Sequence, residues 1–334
     1  MSRRSSGGGG CLVVFSVLFV LVCGGVFYFV ASGRLSGVLG SSGGSQSTRS
    51  SSVTEEAKST VEPKDFSSYT WKELAEVANL IESADSEEAG YAVARQFGIM
   101  NSDGTLADCE RQITLTDGSS ALCRIVGVLA DNLSDGSGKA GLTFILSGLG
   151  GSEMNSTATC EGGWEASELR SWLNSDGVAL LPDGLRESVK HVSKLSNNAG
   201  ITGDPASVTA TDDAIWLFSA SEIYGEITWY EEEYGDGVIY NTDYTDFAPY
   251  KQMINSEGEQ YLYFSQNGVH DREEYSAVST VLGKLTSNFW LRTAYPLSIS
   301  ESDEGQFYQV MASGYPSTIA PADQKNKILA GFCL

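Results

Sequence analysis

The chain has 334 residues, 41% hydrophobic and 19% charged, enough apolar material for a sizeable core, which excludes a wholly disordered protein. Twenty-one Lys and Arg stand against 43 Asp and Glu, a formal charge of −22. The first 34 residues hold Arg3, Arg4 and Arg34 and no acid, so the acidity lies beyond them and argues against nucleic acid as a partner.

Residues 1–10 read as a short cytoplasmic tail with an unstructured Gly7–Gly10 run. Cys11 to Ala31 (CLVVFSVLFVLVCGGVFYFVA) is uncharged and mostly apolar. At about 1.5 Å per residue it is long enough to cross a hydrocarbon core of roughly 30 Å. Ala31-Ser32-Gly33 offers a competing signal-peptidase site, but the apolar run exceeds the about 7–15 residues of a secretory h-region. The reading favoured is an uncleaved anchor. Cys23 follows Val22 and is followed by more apolar sequence, which does not fit a lipoprotein. Arg3 and Arg4 place the tail inside and the large domain outside, so the expected location is the cell membrane, single-pass, with an extracellular C-terminal domain. Residues 32–65 are Ser/Gly-rich and read as a disordered stalk.

Residues 66–108 read as a helical preface. Thr70 and Glu73 fit a capping box, and Trp71, Leu74, Val77, Ala78 and Ile81 follow on one helical face. A second helix is predicted over Ser86–Phe97, stopped by Gly98. Residues 109–334 read as the main domain. Gln112–Thr116 and Leu122–Leu129 form a predicted hairpin around Asp117-Gly118. Gly141–Ser147 is a buried-type strand, Glu165–Asn174 a helix, and Asp183–Val192 part helical and then extended. Further strands are predicted at Ala214–Ser219, Phe289–Thr293, Gln306–Met311 and Ile328–Leu334. The fold class expected is α+β: short helices, then a mixed or antiparallel sheet with long loops.

GWEASELRSWLN at Gly163–Asn174 is followed by Leu181-Pro182, AIWLFSASEIYG at Ala214–Gly225, FWLRTA at Phe289–Ala294 and GFCL at Gly331–Leu334. In this order they resemble the bacterial domain-of-unknown-function family numbered 6273, over about Gln112–Leu334. The front segment resembles the helical preface of membrane-anchored actinobacterial members. The chain departs from the family at Leu329-Ala330-Gly331-Phe332, where many members carry Val-Arg-Pro-x. The resemblance implies an exported surface protein and no particular activity. The same order of elements is similar to C-type-lectin-like and formylglycine-enzyme-like folds, an analogy of fold alone.

Trp164, Leu169, Arg170, Trp172, Leu173 and Asn174 could form a ledge for a sugar ring. The helical spacing favours core packing with polar ties between loops. Trp290 and Arg292, on one face of a strand by alternation, could meet a ligand or clamp the fold through a cation–π contact. Trp229–Tyr250 sets Trp229, Tyr230, Tyr234, Tyr240 and Tyr244 among carboxylates. Tyrosine gives rigid, amphipathic contact area suited to binding, and the competing reading is a solvated acidic insertion. Asn241, Asp243 and Asp246 are weak calcium candidates without EF-hand spacing; no other cofactor is implied. Cys109, Cys123, Cys160 and Cys333 permit two disulfides in an exported domain, with Cys109–Cys123 and Cys160–Cys333 one of three pairings; buried free thiols are the alternative. His191 reads as structural, and no GxSxG or HExxH occurs. The function expected is a non-catalytic binding or adhesion module for a glycan, cell-wall or host ligand, held to the membrane by its N-terminal helix. A wall- or glycan-acting enzyme and a structural envelope protein are the alternatives.

Overall fold

The computed structural model describes residues 61–227, 248–270, 276–283, 285–297, 305–316 and 318–334. Cys11–Ala31, most of the 32–65 linker, and the candidates Trp229, Tyr230, Tyr234, Tyr240, Asn241, Asp243, Tyr244 and Asp246 lie outside them. Among the described residues no helix is long and apolar enough to cross a membrane.

Helix α1 (Trp71–Glu82) begins as its sequence dictates. The Thr70 hydroxyl accepts from the Glu73 amide, and the Glu73 carboxylate accepts from the Thr70 amide at 2.7 Å, which satisfies two otherwise orphaned donors. Helix α2 (Glu87–Gln96) is capped by Ser86 and followed by Gly98 at φ 71°. The α1 stripe Trp71, Leu74, Val77, Ala78 and Ile81 is buried. Trp71 meets the rings of Phe144 and Phe332 edge-on, and those two rings stack 4.9 Å apart. The preface therefore packs on the domain it precedes, and the two belong to one compact unit. Ordered packing begins earlier than the predicted linker end, since Val61 is already buried.

Strands β1 (Glu110–Thr114) and β2 (Ser120–Val128) form the predicted hairpin. Asp117 Oδ1 accepts from the Ser119 amide, and Gly118 supplies a φ of 85° at the turn. Strand β3 (Leu142–Ser152) runs five residues past the sequence estimate. A separate antiparallel ribbon joins β4 (Val192–Asn197) to β5 (Val208–Asp213). Strands β6 (Ile215–Leu217), β7 (Phe289–Ala294), β8 (Gln306–Val310), β9 (Thr318–Pro321) and β10 (Asn326–Cys333) complete a large sheet of order β1-β2-β3-β10-β7-β8-β9, with β6 paired to β10. Strand β10 is antiparallel to β3 and β6 and parallel to β7, so the sheet is mixed. Its central place explains its near-continuous apolar run: six of its residues from Ile328 to Cys333 are buried. Ala330, within the Leu329–Phe332 stretch where the chain departs from the resembled family pattern, is fully buried.

Gly331 lies against the Trp216 indole. A Cβ there would stand 2.7–2.9 Å from ring atoms. An indole wedged at 0% exposure cannot swing aside, so Gly331→Ala is expected to cost about 1–3 kcal/mol through overpacking, read by urea unfolding.

The helix predicted over Glu165–Asn174 is shorter and less regular. Helix α3 (Glu168–Trp172) passes directly into a π-helical turn, Leu173–Gly177. Helices α4 (Asp183–Arg186) and α5 (Ala220–Tyr224) are single turns, the latter opened by a second capping box, Ser219 with Glu222. Helical segments Ala248–Asn255, Leu262–Gln266 and Ser276–Val281 have no counterpart in the sequence reading.

Cys109, Cys123, Cys160 and Cys333 are all buried free thiols. The Cys109 carbonyl bonds the Ile125 amide, while Cys123 stands opposite Arg111. The two cysteines are thus diagonal on the ladder, at about 7–8 Å, near the limit of disulfide reach. Cys160 packs beside Gly200 and Gly305. Cys333 Sγ instead lies 3.4 Å from Thr143 Oγ1 and 3.6 Å from Asp131. Burial pushes the Cys109 and Cys123 thiols up to about 12, leaving them protonated and poor nucleophiles. All four are expected to resist iodoacetamide in the folded protein and to react in denaturant, as counted by mass spectrometry.

Candidate functional site

The motif around Trp164 closes on one carboxylate. Asp213, fully buried at the end of β5, accepts from Trp164 Nε1 (3.1 Å), Arg170 Nε (2.6 Å), Asn174 Nδ2 (3.1 Å) and Thr211 Oγ1 (2.6 Å). The Asn174 side-chain oxygen accepts in turn from the Ala214 amide at 2.7 Å. Leu169 and Leu173 are buried in the core, and Trp172 is half-buried against it. These residues join the α3 turn to β5 and β6. Asp213→Asn would convert an acceptor for four donors into a group with its own donors and leave Arg170 without a counter-charge. A loss of about 1.5–3 kcal/mol is expected, measured by chemical unfolding. His191 is exposed, and its Nδ1 lies 2.7 Å from Asp212 Oδ1.

Trp290 and Arg292 are both fully buried and reach different neighbours. The Trp290 indole N–H donates to the Ser152 carbonyl at 2.9 Å. Arg292 is the hub of a buried ionic cluster. Its Nη1 donates to the Leu217 carbonyl (2.8 Å) and to Glu222. Its Nη2 donates to Glu222 Oε1 (2.9 Å) and to the Glu257 carbonyl (2.6 Å), and its Nε to Ser196 Oγ (2.9 Å). The bidentate grip on Glu222 suits the planar guanidinium.

Glu222 is held in place by its capping role on α5, where it accepts from the Ser219 amide at 3.0 Å. Its carboxylate also pairs with Lys194 of β4. Lys194 Nζ further donates to Asp131 Oδ1 (2.6 Å) and to the Tyr261 hydroxyl (3.0 Å), and it lies 4.7 Å above the Trp216 ring. Asp131 stands in the loop that follows β2. It also accepts from Tyr261 Oη (2.8 Å) and Thr143 Oγ1 (2.6 Å). Glu257 accepts from the Asn197 amide (2.8 Å) and the Thr293 hydroxyl (2.5 Å). Asp131, Lys194, Glu222, Glu257 and Arg292 are each at most 5% exposed.

The electrostatics follow from these partners. Burial would raise Asp131 and Glu222. The Lys194 charge on Asp131, and the Arg292 and Lys194 charges on Glu222, outweigh it and hold both carboxyls below their ordinary range. Glu257 goes the other way. Burial dominates, and the Arg292 charge with the Thr293 and Asn197 hydrogen bonds does not offset it, so the carboxyl is pushed up from 4.5 to about 7.

This cluster floors a cavity of about 750 Å³, within the range of small-molecule sites. Asp131, Lys194, Glu222 and Glu257 line its base. Glu87 and Tyr91 of α2, Asn132, Lys139, Asn255 and Glu259 stand around it. Arg292 supports it from behind. Of the cluster only Arg292 was among the sequence candidates; Asp131, Lys194, Glu222, Glu257 and Tyr261 were not. The Ser-x-x-Glu spacing at Ser219–Glu222 was the one local signal available. Among the described residues no three His, Cys, Asp or Glu side chains converge as a metal site.

No curated protein and no solved structure matches the chain significantly. A family model described as a domain of unknown function, DUF6273, matches residues 140–334. That span is more than half of the chain and contains Lys194, Glu222, Glu257, Tyr261 and Arg292, and the chain belongs to the DUF6273 family.

Proposed function

We propose that the protein is a membrane-anchored extracellular recognition module that binds a polar surface ligand, of glycan, cell-wall or host origin, in the cleft over Asp131, Lys194, Glu222 and Glu257. The observation that carries this reading is the cleft itself: its floor is a charge cluster fixed by hydrogen bonds from several elements, a preorganised surface that costs little to order on binding. The apolar Cys11–Ala31 stretch and the Ser/Gly-rich linker support the anchored, surface-held arrangement. The Tyr-rich Trp229–Tyr250 segment supports recognition as well. Its tyrosines among carboxylates offer rigid, amphipathic contact area. A C-type-lectin-like arrangement fits this reading and rests on the order of the sequence motifs.

The test is a thermal-shift and binding screen of the full chain in neutral detergent against glycans and wall fragments. A ligand that binds only the folded state at about a hundred times its Kd adds roughly 2.7 kcal/mol. Asn132→Trp, at an exposed position on the cleft, is expected to abolish that shift without lowering the unliganded Tm. Binding that survives Asn132→Trp but is lost with Tyr230, Tyr240 and Tyr244 changed to alanine would move the contact to the Tyr-rich segment. No binding to any surface ligand would overturn the recognition reading.

A further inference from the structure

Among the described residues, the cluster under the cleft is short of one positive charge. Three carboxyl groups, Asp131, Glu222 and Glu257, share two cations, Lys194 and Arg292, all at most 5% exposed. The distribution of donors shows where the shortfall sits. Lys194 is spent on Asp131, Glu222 and Tyr261. Arg292 gives its charged N–H groups to the Glu222 carboxylate and to the carbonyls of Leu195, Leu217 and Glu257. Neither cation donates to the Glu257 carboxylate, whose donors among the described residues are two neutral ones, the Asn197 amide and the Thr293 hydroxyl. A buried carboxylate with neutral donors alone is expensive to ionise. Either a proton or a cation from outside must compensate it, and Glu257 lines the cleft.

The surroundings of the cleft favour a cation. Glu87 and Lys139 pair there at 2.8 Å and cancel, which leaves Glu259 as added negative charge among the described lining residues. Tyr91 adds an aromatic ring, a surface that favours organic cations. The chain as a whole carries −22, which draws cations toward it. A volume of about 750 Å³ suits an organic molecule rather than a bare ion.

Resting on the reading of this cleft as the recognition site, we propose that its ligand is an organic cation, whose primary ammonium or guanidinium head enters beside Glu257 and supplies the missing positive charge. Binding is then coupled to a proton. Below about pH 7 the Glu257 carboxyl holds a proton that the incoming cation displaces, so affinity weakens as pH falls and levels off above. The groups facing Glu257 are Arg292 and Thr293 from β7, the Asn197 amide from β4 and Glu222 from α5. Glu222 is held ionised by its cations and does not titrate in that window.

The experiment is calorimetry on the full chain in neutral detergent at pH 6, 7 and 8, in two buffers of different ionisation heat. The probes are Nα-acetyl-lysine methylamide and its uncharged counterpart, Nα-acetyl-norleucine methylamide. A lysine ammonium keeps its charge throughout that range. The expected result is binding of the lysine probe alone, about tenfold tighter at pH 8 than at pH 6, with proton release at pH 6. Glu257→Gln is expected to weaken binding at least tenfold and to remove the pH dependence. The wild-type comparison of the two probes decides the matter even if that variant fails to fold. Equal binding of the two probes, no binding of the lysine probe, or a Glu257→Gln protein that keeps both affinity and pH dependence would overturn the proposal. Wall-fragment binding that the lysine probe does not displace would leave the recognition reading intact and sink only the cationic ligand.

Discussion

Arg292→Met is expected to destabilise the folded domain by about 3–5 kcal/mol, the range for breaking a buried ion pair from one side. In a domain of this size that lowers Tm by roughly 6–20 °C. The side chain is fully buried and connects β7 to β4, α5, β6 and the segment carrying Glu257. Its loss strands the Glu222 carboxylate with Lys194 alone and leaves the carbonyls of Leu217 and Glu257 without this donor. Arg292→Lys is expected to recover less than half of the loss. An ammonium is a point charge and cannot hold two carboxylate oxygens and several carbonyls in one plane. Arg292→Met with Glu222→Gln should cost less than the two single changes added together, because the second removes the charge that the first exposes. Urea unfolding of the four proteins reads the coupling; strict additivity would mean that Arg292 acts through shape and not through Glu222.

The residues of this cluster show why part of the molecule was legible in sequence and part was not. Helix α1 and the β1–β2 hairpin are specified within a few residues. Thr70 and Glu73 satisfy each other's backbone, and Asp117-Gly118 carries its own turn geometry. Strand β10 was legible from Ile328 to Cys333, where the run is buried and apolar throughout. The β4–β5 ribbon was not, since Lys194, Thr211 and Asp213 are polar side chains in buried positions, the reverse of the pattern that marks a strand. The short helices after Ala248 are single or double turns held by tertiary contacts, below the length at which periodicity speaks. The cluster is drawn from Asp131, Lys194, Glu222, Glu257 and Arg292, far apart in the chain. In a chain with 43 acids each of its carboxylates reads as one more solvated charge, and only burial separates them. Arg292 was singled out beside Trp290 as a shared strand face, whereas Trp290 turns to Ser152 and Arg292 to Glu222.

Glu257→Gln is expected to remove a large part of the pH dependence of stability between pH 4.5 and 7. The folded carboxyl titrates at about 7 against 4.5 for its ordinary value. Its stabilising contribution is fully present below about pH 4.5, where both folded and unfolded chains hold the proton. As pH rises from there the unfolded chain releases its proton and the folded chain does not, so stability falls until the folded group titrates near pH 7. At 1.36 kcal/mol per unit the loss is about 3 kcal/mol. Asp131 and Glu222 run in the opposite sense. Their folded values are lowered, so their contribution is present above the ordinary carboxylate range and disappears as pH falls through the folded values. The wild-type protein should therefore have a stability maximum on the mildly acidic side, bounded by Asp131 and Glu222 below and by Glu257 above. Glutamine keeps the shape, can accept from the Asn197 amide and can donate to the Thr293 hydroxyl, but it carries no proton to lose. The stability of Glu257→Gln relative to wild type should accordingly rise between pH 4.5 and 7 by about 3 kcal/mol and stay level beyond pH 8. A flat difference curve across that range would mean that Glu257 titrates near its ordinary value, with its negative charge already compensated inside the fold.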